Sequence, residues 1–391
     1  MRILMVSQMV PYLPCHDGFR TIAAHLVENF ARQHTVALVA AAGAGETLEQ
    51  RRWASPFCAW AEHVDAHPWR HRVTSAPGQG FERLRAAVQR AVERFAPDAL
   101  HLEGGALAPL AGIGGVPAVL SVHDSRALRA REFRRLTRMP LGWARARVAE
   151  WRETAWERRW FGGAQACVVV SEEDRAAVLE LCPGARVEVI PLGVDVTRHE
   201  FRRSGQPGRV VFTGNFSWPP NIDGAERFAT TVFPLIRARW TRAELIIAGA
   251  DPAPSVRALA ALPGVRVTGT VPDLRPSIWN AAVYVSPVRA GFGMKNKILE
   301  AMALGTPIVA STRSLSGLAD VVPGGHVLVA DDDAEMARAV LHLLEGRDVA
   351  DRMARAARSL VERRYSWPTV ARRYEALLTS LARPAAQATT A

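Results

Sequence analysis

Short, continuously apolar segments alternate with amphipathic segments along almost the whole chain of 391 residues. The apolar segments are too short for ordinary helices, which is typical of strands buried on both faces of a parallel sheet. The amphipathic segments have the apolar spacing of helices that cover such a sheet. The alternation therefore predicts an α/β fold with doubly wound parallel sheets.

The same alternation occurs in both halves of the chain. The predicted strands are Arg2–Val6, Val36–Val39, Ala99–Leu102, Ala118–Val122, Ala166–Val170, Val187–Ile190, Val210–Thr213, Glu244–Ala248, Val265–Val267, Val283–Ser286, Pro307–Ala310 and Val327–Val329. The predicted helices are Thr21–Arg32, Phe81–Phe95, Arg126–Trp160, Glu172–Leu181, Asp223–Arg237, Val256–Leu262, Leu274–Asn280, Asn296–Leu304, Ala334–Leu344, Ala350–Arg364 and Trp367–Leu381.

A chain of this length is too long for one ordinary core and suits two domains of similar size. The polar Gly/Pro segment Arg202–Gly208 has the composition of a linker between them. We predict a Rossmann-like domain over residues 1–200, a second over 201–365, and a C-terminal helix with a frayed tail over 366–391. The C-terminal helix is expected to pack back on the first domain. Ligands of such sheets bind beyond the carboxyl ends of the strands.

The spacing of the cysteines and the length of the apolar segments indicate the cellular compartment of the protein. The four cysteines lie far apart without a CxxC pair, which fits a reducing cytoplasm and argues against disulfides or a structural zinc site. The apolar segment Met1–Val10 is short and is followed by prolines, so it predicts a buried strand in preference to a signal peptide. No segment has the roughly 20 apolar residues of a membrane-spanning helix. We expect a cytoplasmic protein.

Positive charge is concentrated in one segment. The formal net charge is +11, and Arg126–Trp160 contains eleven arginines and four tryptophans. Arginine with tryptophan suits a peripheral contact with an anionic membrane surface. The alternative is a long covering helix with its tryptophans in the core and its arginines in water, and both interpretations are open. Nucleic acid is not an expected partner, because the chain lacks aromatic stacking motifs and recognition helices.

The segment Val285–Leu304 has the layout of an anion site. A strand is followed by a glycine-rich loop with Gly291 and Gly293, and a helix begins near Asn296. Glycines let backbone N–H groups approach a phosphate, and a helix N-terminus adds partial positive charge. The segment therefore predicts a site for a phosphate or diphosphate.

Three cations surround this loop: Arg289, Lys295 and Lys297. The two lysines are the only ones among 49 basic residues, so the chain uses arginine wherever either residue serves. Lysines kept only here indicate a need for compact point charges, such as one that meets a diphosphate. The alternative is a surface helix start with a Lys297–Glu300 ion pair, worth about 0.2–0.5 kcal/mol.

The segment from Arg289 to Val309 resembles the donor-binding segment of the retaining glycosyltransferases of family 4, which have the GT-B fold. It is similar to a subgroup with an arginine, a glycine-rich loop and Lys-x-x-Glu in place of Glu-x7-Glu. The resemblance implies two Rossmann-like domains facing across a cleft, and it assigns Glu300 to the ribose hydroxyls of the donor. Phe292 stands where many members have a first glutamate that contacts the donor sugar.

Other segments extend the resemblance. Val189–Asp195 is similar to the family's entry into the second domain, and Val271–Pro276 resembles the loop that flanks the nucleobase. Asn215 and Asn221 stand where many members have an arginine and a lysine that bind the diphosphate, and the two lysines of this chain are expected to supply those charges. The residues implied in donor binding are Gly18, Gly214, Asn215, Val271, Gly293, Met294, Lys295, Asn296 and Glu300.

The first half offers candidate residues at strand ends. The segment Gln8–Arg20 is either a loop that lies against the diphosphate and acceptor, as in resembling members, or an ordinary strand–helix turn. His123 is similar to the family's strand-end active-site histidine; a buried structural histidine is the alternative. Glu103 is expected to contact the acceptor or to cap Gly104–Gly105. The candidate contacts to acceptor or sugar are Asp17, Glu103 and Asp124, and the candidate catalytic residues are His123, Lys297 and Arg289.

Together these features predict transfer of a sugar from a nucleoside diphosphate to an acceptor hydroxyl, with retention and without a metal or cofactor. Asp331–Asp333 fits a DxD metal motif, but its position before an amphipathic segment predicts helix capping. The expected partners are a nucleotide-sugar donor and an acceptor that is a glycan, a lipid-linked intermediate or a natural product. The alternatives are another GT-B enzyme, such as a sugar-nucleotide epimerase or a phosphorylase, and a non-catalytic nucleotide-binding relative.

Overall fold

The structure, a computed structural model, describes residues 1–15, 17–43, 45–66, 78–137, 140–291 and 293–382. The chain forms two compact units: Met1–Pro191 joined by the segment that begins at Trp367, and Leu192–Ser366. The boundary lies after Pro191. From the sequence, it was expected after residue 200. The reason is that the following residues bond within the second unit: Leu192 N–H donates to Met294 Sδ over 3.2 Å, and Val194 N–H to the Tyr365 carbonyl over 2.8 Å.

Seven parallel strands form the sheet of the first unit within the described residues. They are β1 (Arg2–Ser7), β2 (Thr35–Ala42), β3 (Trp60–Asp65), β4 (Ala99–Glu103), β5 (Ala118–His123), β6 (Ala166–Val169) and β7 (Val187–Val189). The order is β3-β2-β1-β4-β5-β6-β7, so the direction of winding reverses between β1 and β4. Ligands of doubly wound sheets bind at the carboxyl ends of the strands beside such a reversal.

Helices cover both faces of this sheet. They are α1 (Gly18–Phe30), α2 (Leu48–Arg52), α3 (Gln79–Phe95), α4 (Arg126–Leu136), α5 (Pro140–Trp160) and α6 (Glu172–Leu181). The apolar stripe of α3, which includes Leu84, Val88 and Phe95, joins Leu4 and Leu100 of the sheet in one buried cluster. Such a cluster is the main stabilising contribution in an α/β unit.

The second unit repeats the architecture with six strands among its described residues, in the order β10-β9-β8-β11-β12-β13. The strands are β8 (Gln206–Thr213), β9 (Glu244–Ala248), β10 (Val265–Gly269), β11 (Ala281–Ser286), β12 (Ile308–Ala310) and β13 (Leu328–Val329). The helices are α7 (Pro219–Arg227), α8 (Phe233–Arg239), α9 (Pro254–Ala258), α10 (Arg275–Trp279), α11 (Asn296–Leu304), α12 (Asp333–Glu345) and α13 (Arg347–Leu360). The last helix, α14 (Trp367–Leu381), packs on α1, β4 and β5 of the first unit.

The predicted α/β fold with two parallel sheets is confirmed, and every predicted strand is present. Two elements were missed, strand β3 and the short helix α2. Strand β3 contains Glu62 and His63 and is only partly buried, because it lies at the sheet edge, so it lacks a continuous apolar run. The predicted linker is wrong in its second part: Gln206 already pairs with Ala281 as the first residue of β8.

The segment Arg126–Trp160 forms two packed helices, α4 and α5, instead of one long helix. Its tryptophans divide between the two interpretations. Trp156 and Trp160 pack against the core of the first unit, and Trp156 Nε1–H donates to the Gly105 carbonyl over 3.1 Å. Trp143 and Trp151 are exposed. Among the helices of the described segments, none has both the length and the apolar composition to cross a bilayer.

Candidate functional site

The glycine-rich loop of the second unit connects β11 to α11. Gly291 has φ 114° and Gly293 has φ 66°, values that side-chain-bearing residues rarely adopt. Helix α11 begins at Asn296, and no side chain caps its N-terminus. Its first backbone N–H groups therefore keep their capacity to bind an anion. Phe292 lies outside the described residues.

Lys297 lies on the first turn of α11, and its side chain is half-buried. Its Nζ donates to Asn221 Oδ1 over 2.9 Å and lies 3.4 Å from the Thr213 carbonyl and 4.5 Å from the centre of the Phe212 ring. No carboxylate pairs with it in the described part of the chain. Burial, with a smaller contribution from Lys295, lowers the pKa of Lys297 to about 7.

The alternative of a Lys297–Glu300 ion pair on the helix surface is wrong, since Lys297 bonds to α7 and β8 instead. The half-buried Glu300 carboxylate forms no hydrogen bond or ion pair with the described residues. Both groups are therefore available to a ligand. The ammonium of Lys297 also lies beside Asn221, one of the two positions where the resembling family has a diphosphate-binding cation.

Asn215 and Gly214 form the turn after β8. Asn215 Oδ1 accepts from Ser217 N–H over 2.8 Å, which fixes the side chain as a turn cap. Asn221 Nδ2–H₂ donates to the Asn215 carbonyl over 2.8 Å. A Cβ at Gly214 would lie 2.9 Å from Asn221 Nδ2, so a larger residue there would displace the Asn221 amide. The turn thus holds Asn221 in the place where it meets Lys297.

The other two cations near the loop already have partners. Lys295 Nζ donates to the Gly293 carbonyl over 2.9 Å. Arg289 Nη2 lies 2.9 Å from Asp333 Oδ1, and Arg227, which sequence analysis did not single out, pairs with the same carboxylate. Lys297 therefore differs from Arg289 in having no compensating carboxylate within the described residues.

The remaining donor candidates have structural contacts of varied kind. The Met294 side chain is buried and accepts the Leu192 N–H. Asn296 Oδ1 is buried without a hydrogen-bond partner among the described residues. Val271 is half-buried in the loop between β10 and α10. None of these contacts tests their roles toward a donor, which stay predictions.

The three carboxylates of Asp331–Asp333 are each engaged by the protein. Asp332 caps α12 by accepting from the N–H groups of Ala334 and Glu335, so the predicted capping role is confirmed. Asp331 accepts from Thr312 N–H and Oγ1–H over 2.9 and 2.7 Å. Asp333 pairs with the two arginines named above. The described residues contain no group of three or more metal-binding side chains.

In the first unit, three side chains meet where β4 and β5 end. Glu103 Oε2 lies 2.8 Å from His101 Nε2, and Glu103 Oε1 forms a short hydrogen bond with His123 Nε2. Glu103 and His101 are fully buried, and His123 is 5% exposed. His123 has φ 63°, an uncommon value for a residue with a side chain, at an irregularity in the β5–β6 register.

This arrangement differs from both roles expected of Glu103. Its carboxylate binds histidines through both oxygens instead of capping the following glycines, and its full burial leaves no exposed oxygen for an acceptor. Burial raises the pKa of Glu103, but the charges and hydrogen bonds of His123 and His101 outweigh it and lower the pKa to about 2. Burial lowers the pKa of His123, but the charge and hydrogen bond of Glu103, with Asp124, outweigh it and raise the pKa.

His123 also lines a cavity of about 270 Å³ in the first unit. The cavity walls include Gln8, Phe19, Asp124 and Arg126. His123 Nδ1 has no hydrogen-bond partner among the described residues. The geometry thus brings together His123 and Asp124, as candidates, with Gln8 from the loop after β1.

The predicted site residues Asp17 and Gly18 lie at the start of α1. Asp17 Oδ1 accepts from Arg20 N–H over 3.0 Å and is the N-cap of the helix. Space is open around Gly18, where an added Cβ would meet no atom within 4 Å. The described part of the Gln8–Arg20 loop fits both interpretations left open above.

Several supporting residues were missed by sequence analysis. Ser125, which follows the His123–Asp124 pair, donates from its N–H to Asp174 over 2.9 Å and from its hydroxyl to Glu157 over 2.9 Å. Burial raises the pKa of Glu157 to about 7 and that of Asp174 to about 6. These pairings join residues far apart in the chain, so no local pattern could indicate them.

Comparison with known families matches both units. Residues 16–198 match the family described as Glycosyltransferase Family 4, and residues 207–346 match the one described as Glycosyl transferases group 1. The two parallel doubly wound units and these matches define a glycosyltransferase of the GT-B fold. The chain belongs to the glycosyltransferases of family 4.

Curated relatives and solved structures agree with this assignment. The phosphatidyl-myo-inositol mannosyltransferase of Propionibacterium freudenreichii is 30% identical over 187 residues, 45% of each chain. The enzyme of the same name from Mycobacterium leprae is 30% identical over 229 residues, 54% of this chain and 59% of the relative. These similarities thus span about half the length of the curated relatives.

Among solved structures, the sucrose-phosphate synthase of Thermosynechococcus elongatus superposes with a TM-score of 0.72 at 16% identity. The superposition covers 97% of this chain and 99% of that one. Anabaena HepE, in complex with UDP and glucose, superposes with a TM-score of 0.65 at 16% identity, covering 97% and 100%. At this identity the likeness shows the fold alone.

Proposed function

We propose that the protein transfers a sugar from a nucleoside diphosphate to an acceptor hydroxyl, with retention of anomeric configuration and without a metal ion. The observation that carries the proposal is the ammonium of Lys297, without a carboxylate partner in the described residues and next to the uncapped N-terminus of α11. A cation and a helix N-terminus together suit a diphosphate.

The chemistry requires stabilisation of the diphosphate that leaves as the glycosidic bond breaks. The N–H groups at the start of α11 and the Lys297 ammonium are held in place before the reaction, which is the arrangement that makes electrostatic stabilisation effective. A carboxylate at the Asn221 position would cancel this charge, whereas an amide oxygen orients it.

Glu300 is proposed to accept hydrogen bonds from the ribose hydroxyls. Its carboxylate is half-buried and has no hydrogen-bond or ion-pair partner in the described residues, which supports the role. Glu300→Gln should weaken nucleotide binding, and the exposed Glu335→Gln is the matched control. Unchanged affinity of Glu300→Gln by calorimetry would count against the ribose role.

His123 is proposed as the contact of the first unit to the reacting sugar or acceptor. Its Nδ1 lacks a partner in the described residues, and its ring lines the cavity. The names of the curated relatives favour a hexose donor and keep a lipid-linked acceptor among the candidates. The UDP in the Anabaena structure makes UDP the first nucleotide to test.

The experiment has two stages. A thermal-shift or NMR screen over UDP, GDP, ADP and dTDP and their sugars identifies the donor, and the same screen on Lys297→Met tests the diphosphate site. Exposed Arg257→Met is the matched control, since it also removes a positive charge. Donor incubated without acceptor separates two alternatives: an epimer identifies a sugar-nucleotide epimerase, and phosphate-dependent turnover identifies a phosphorylase. Nucleotide binding without hydrolysis of any nucleotide sugar and without transfer to any acceptor would favour a non-catalytic relative.

We also propose a peripheral membrane contact through α5. The exposed rings of Trp143 and Trp151, with exposed Val148 and Arg147 between them, support it. Sedimentation with vesicles of anionic lipid should decrease in Trp143→Ser/Trp151→Ser. The exposed Val322→Ser is the control. Equal sedimentation of all three proteins would remove the contact.

A further inference from the structure

The geometry points to Glu103 as a positioning residue: it holds the His123 ring by Nε2 at the wall of the cavity of the first unit, and it leaves the buried Nδ1 as the nitrogen that gains or loses a proton. This inference rests on the proposed function for its catalytic meaning. It extends that function by giving Glu103 the role of orienting His123. From the sequence, Glu103 was expected to contact the acceptor.

Both carboxylate oxygens of Glu103 bind histidine nitrogens, and the bond to His123 fixes the orientation of its ring. Oε1 bonds to His123 Nε2 and Oε2 lies 2.8 Å from His101 Nε2. A carboxylate accepts hydrogen bonds, so Nε2 of His123 must be the donor. The proton on the other nitrogen, Nδ1, is then the one that is gained or lost, and Nδ1 is the nitrogen without a partner among the described residues.

The backbone supports the same orientation. His123 is the last residue of β5 and has φ 63°, which a histidine adopts only where surrounding contacts maintain it. The ring of Phe19 packs edge-on against the His123 ring, with centroids 4.7 Å apart. The carboxylate on one side and the aromatic ring on another restrict rotation of the imidazole.

A further layer restrains the other end of the carboxylate. His101 lies between Phe30 and Tyr374, with ring centroids 5.5 and 5.4 Å away. Tyr374 belongs to α14, and its hydroxyl lies 3.1 Å from Ser121 Oγ of β5. The last helix of the chain therefore contributes to the position of Glu103.

The electrostatic consequence is that His123 carries its charge to higher pH than an ordinary histidine. Glu103 raises its pKa against the effect of burial, and Asp124 adds to this. The charged and titratable groups around this site are Glu103 and His101 of β4, Asp124 after β5, Tyr374 of α14, and Arg126 and Arg129 at the cavity. In the charged ring the buried Nδ1 also carries a proton, so it is a hydrogen-bond donor without a partner among the described residues.

The first test needs no activity. Long-range ¹H–¹⁵N NMR on the full chain with ¹⁵N-histidine, with the His123 signal assigned by its loss in His123→Gln, reports which nitrogen carries the proton. The expected result is a protonated Nε2 throughout the folded pH range, with Nδ1 titrating above the ordinary histidine value. A bare Nε2 in the neutral ring would overturn the inference.

The second test removes the charge of Glu103 with little change in shape. In Glu103→Gln, His123 should titrate at lower pH than in the unchanged chain, while the exposed Glu93→Gln leaves the titration as it was. An unchanged His123 titration in folded Glu103→Gln would also overturn the inference. If Glu103→Gln does not fold, the NMR test on the unchanged chain still decides.

Activity connects the inference to catalysis. Glu103→Gln should lower kcat by roughly 10²-fold with little change in KM for the donor, because a misplaced group loses reactive geometry. The alkaline limb of its pH–rate profile should move to lower pH, and Glu103→Asp should restore part of that shift. If the unchanged chain transfers no sugar, the proposed function fails, and the two NMR tests still decide the role of Glu103.

Discussion

The two units hold their buried charge in opposite ways. In the first unit, His123 and Glu103 form a pair in which each side chain compensates the other, and the pKa of Glu103 is lowered while that of His123 is raised. In the second unit, the Lys297 ammonium meets an amide oxygen, a carbonyl and an aromatic ring but no carboxylate among the described residues, and its pKa is lowered to about 7.

On the proposed function, the charges of the first site stabilise the fold, whereas the charge of Lys297 binds the ligand. A buried ion pair loses both its compensation and its geometry when one partner is removed. Burial of a cation without a counter-ion destabilises its charged form in the free protein, and a bound diphosphate stabilises that form. We therefore expect mutations in the first site to affect folding strongly, and mutations of Lys297 to affect binding and turnover instead.

The largest expected effect on stability is that of Glu103→Ala. Removing the carboxylate leaves two buried histidines without their partner, and breaking a buried pair costs about 3–5 kcal/mol. Chemical denaturation should show this decrease in the free energy of unfolding. The exposed Glu93→Ala should change it by less than about 0.5 kcal/mol. If Glu103→Ala also lowered the free energy of unfolding by less than about 0.5 kcal/mol, the first site would not be one on which folding depends.

Lys297→Met should lower the transfer rate by roughly 10²–10³, as loss of one preorganised donor does. Its free energy of unfolding should not decrease, because the substitution removes an ammonium that lacks a carboxylate partner among the described residues. Steady-state kinetics and denaturation of the same preparation check both statements. Near-normal turnover would remove Lys297 from the site, and a large loss of stability would make it structural.

The pH dependence of stability should have opposite signs for His123 of the first unit and Lys297 of the second. The raised pKa of His123 contributes stability that is complete below the unfolded value and is lost as pH rises through the folded value. The lowered pKa of Glu103 contributes stability above its unfolded value that is lost as pH falls toward about 2. Glu103→Ala should remove both contributions from the stability–pH curve.

The contribution of Lys297 to stability should change with pH in the direction opposite to that of His123. Its folded pKa of about 7 lies below the ordinary lysine value of 10.5, so the unfolded chain binds more protons between these pH values. The free energy of unfolding should therefore rise across this range relative to Lys297→Met. A difference between the two proteins that does not change with pH would contradict the lowered pKa.

The smallest effects compare two buried tyrosine hydroxyls, one in each unit. Tyr374 lies 3.1 Å from Ser121 Oγ, and Tyr284 lies 2.9 Å from Thr213 Oγ1. Tyr374→Phe and Tyr284→Phe should each cost about 0.5–1.5 kcal/mol, the ordinary net value of a hydrogen bond. Only Tyr374→Phe should change the His123 NMR signal. An equal change from Tyr284→Phe would show that the signal reports general loosening.

The sequence predicted the architecture and indicated a candidate anion site for a physical reason. Strands buried on both faces carry long apolar runs, and the loop, lysines and helix start of the anion site are contiguous in the chain. The second unit therefore carries its candidate site within one segment. Strand β3 was missed because an edge position relaxes the apolar requirement.

The site of the first unit could not be predicted in the same way. Glu103 and His123 come from neighbouring strands, and the bond between them depends on a register irregularity and a positive φ at His123. The support from Tyr374 comes from the other end of the chain. Such pairings follow from tertiary packing, which residue types and spacing do not encode locally.

The most direct test of the central claim is calorimetric titration of the nucleoside diphosphate found in the screen, in two buffers of different ionisation enthalpy near pH 8. The account predicts proton uptake on binding, because Lys297 is largely neutral at that pH in the free protein and is charged beside a diphosphate. Lys297→Met should bind at least tenfold more weakly without proton uptake, while affinity for the nucleoside alone stays the same. Equal diphosphate affinity in both proteins, with no proton uptake in either, would contradict the account.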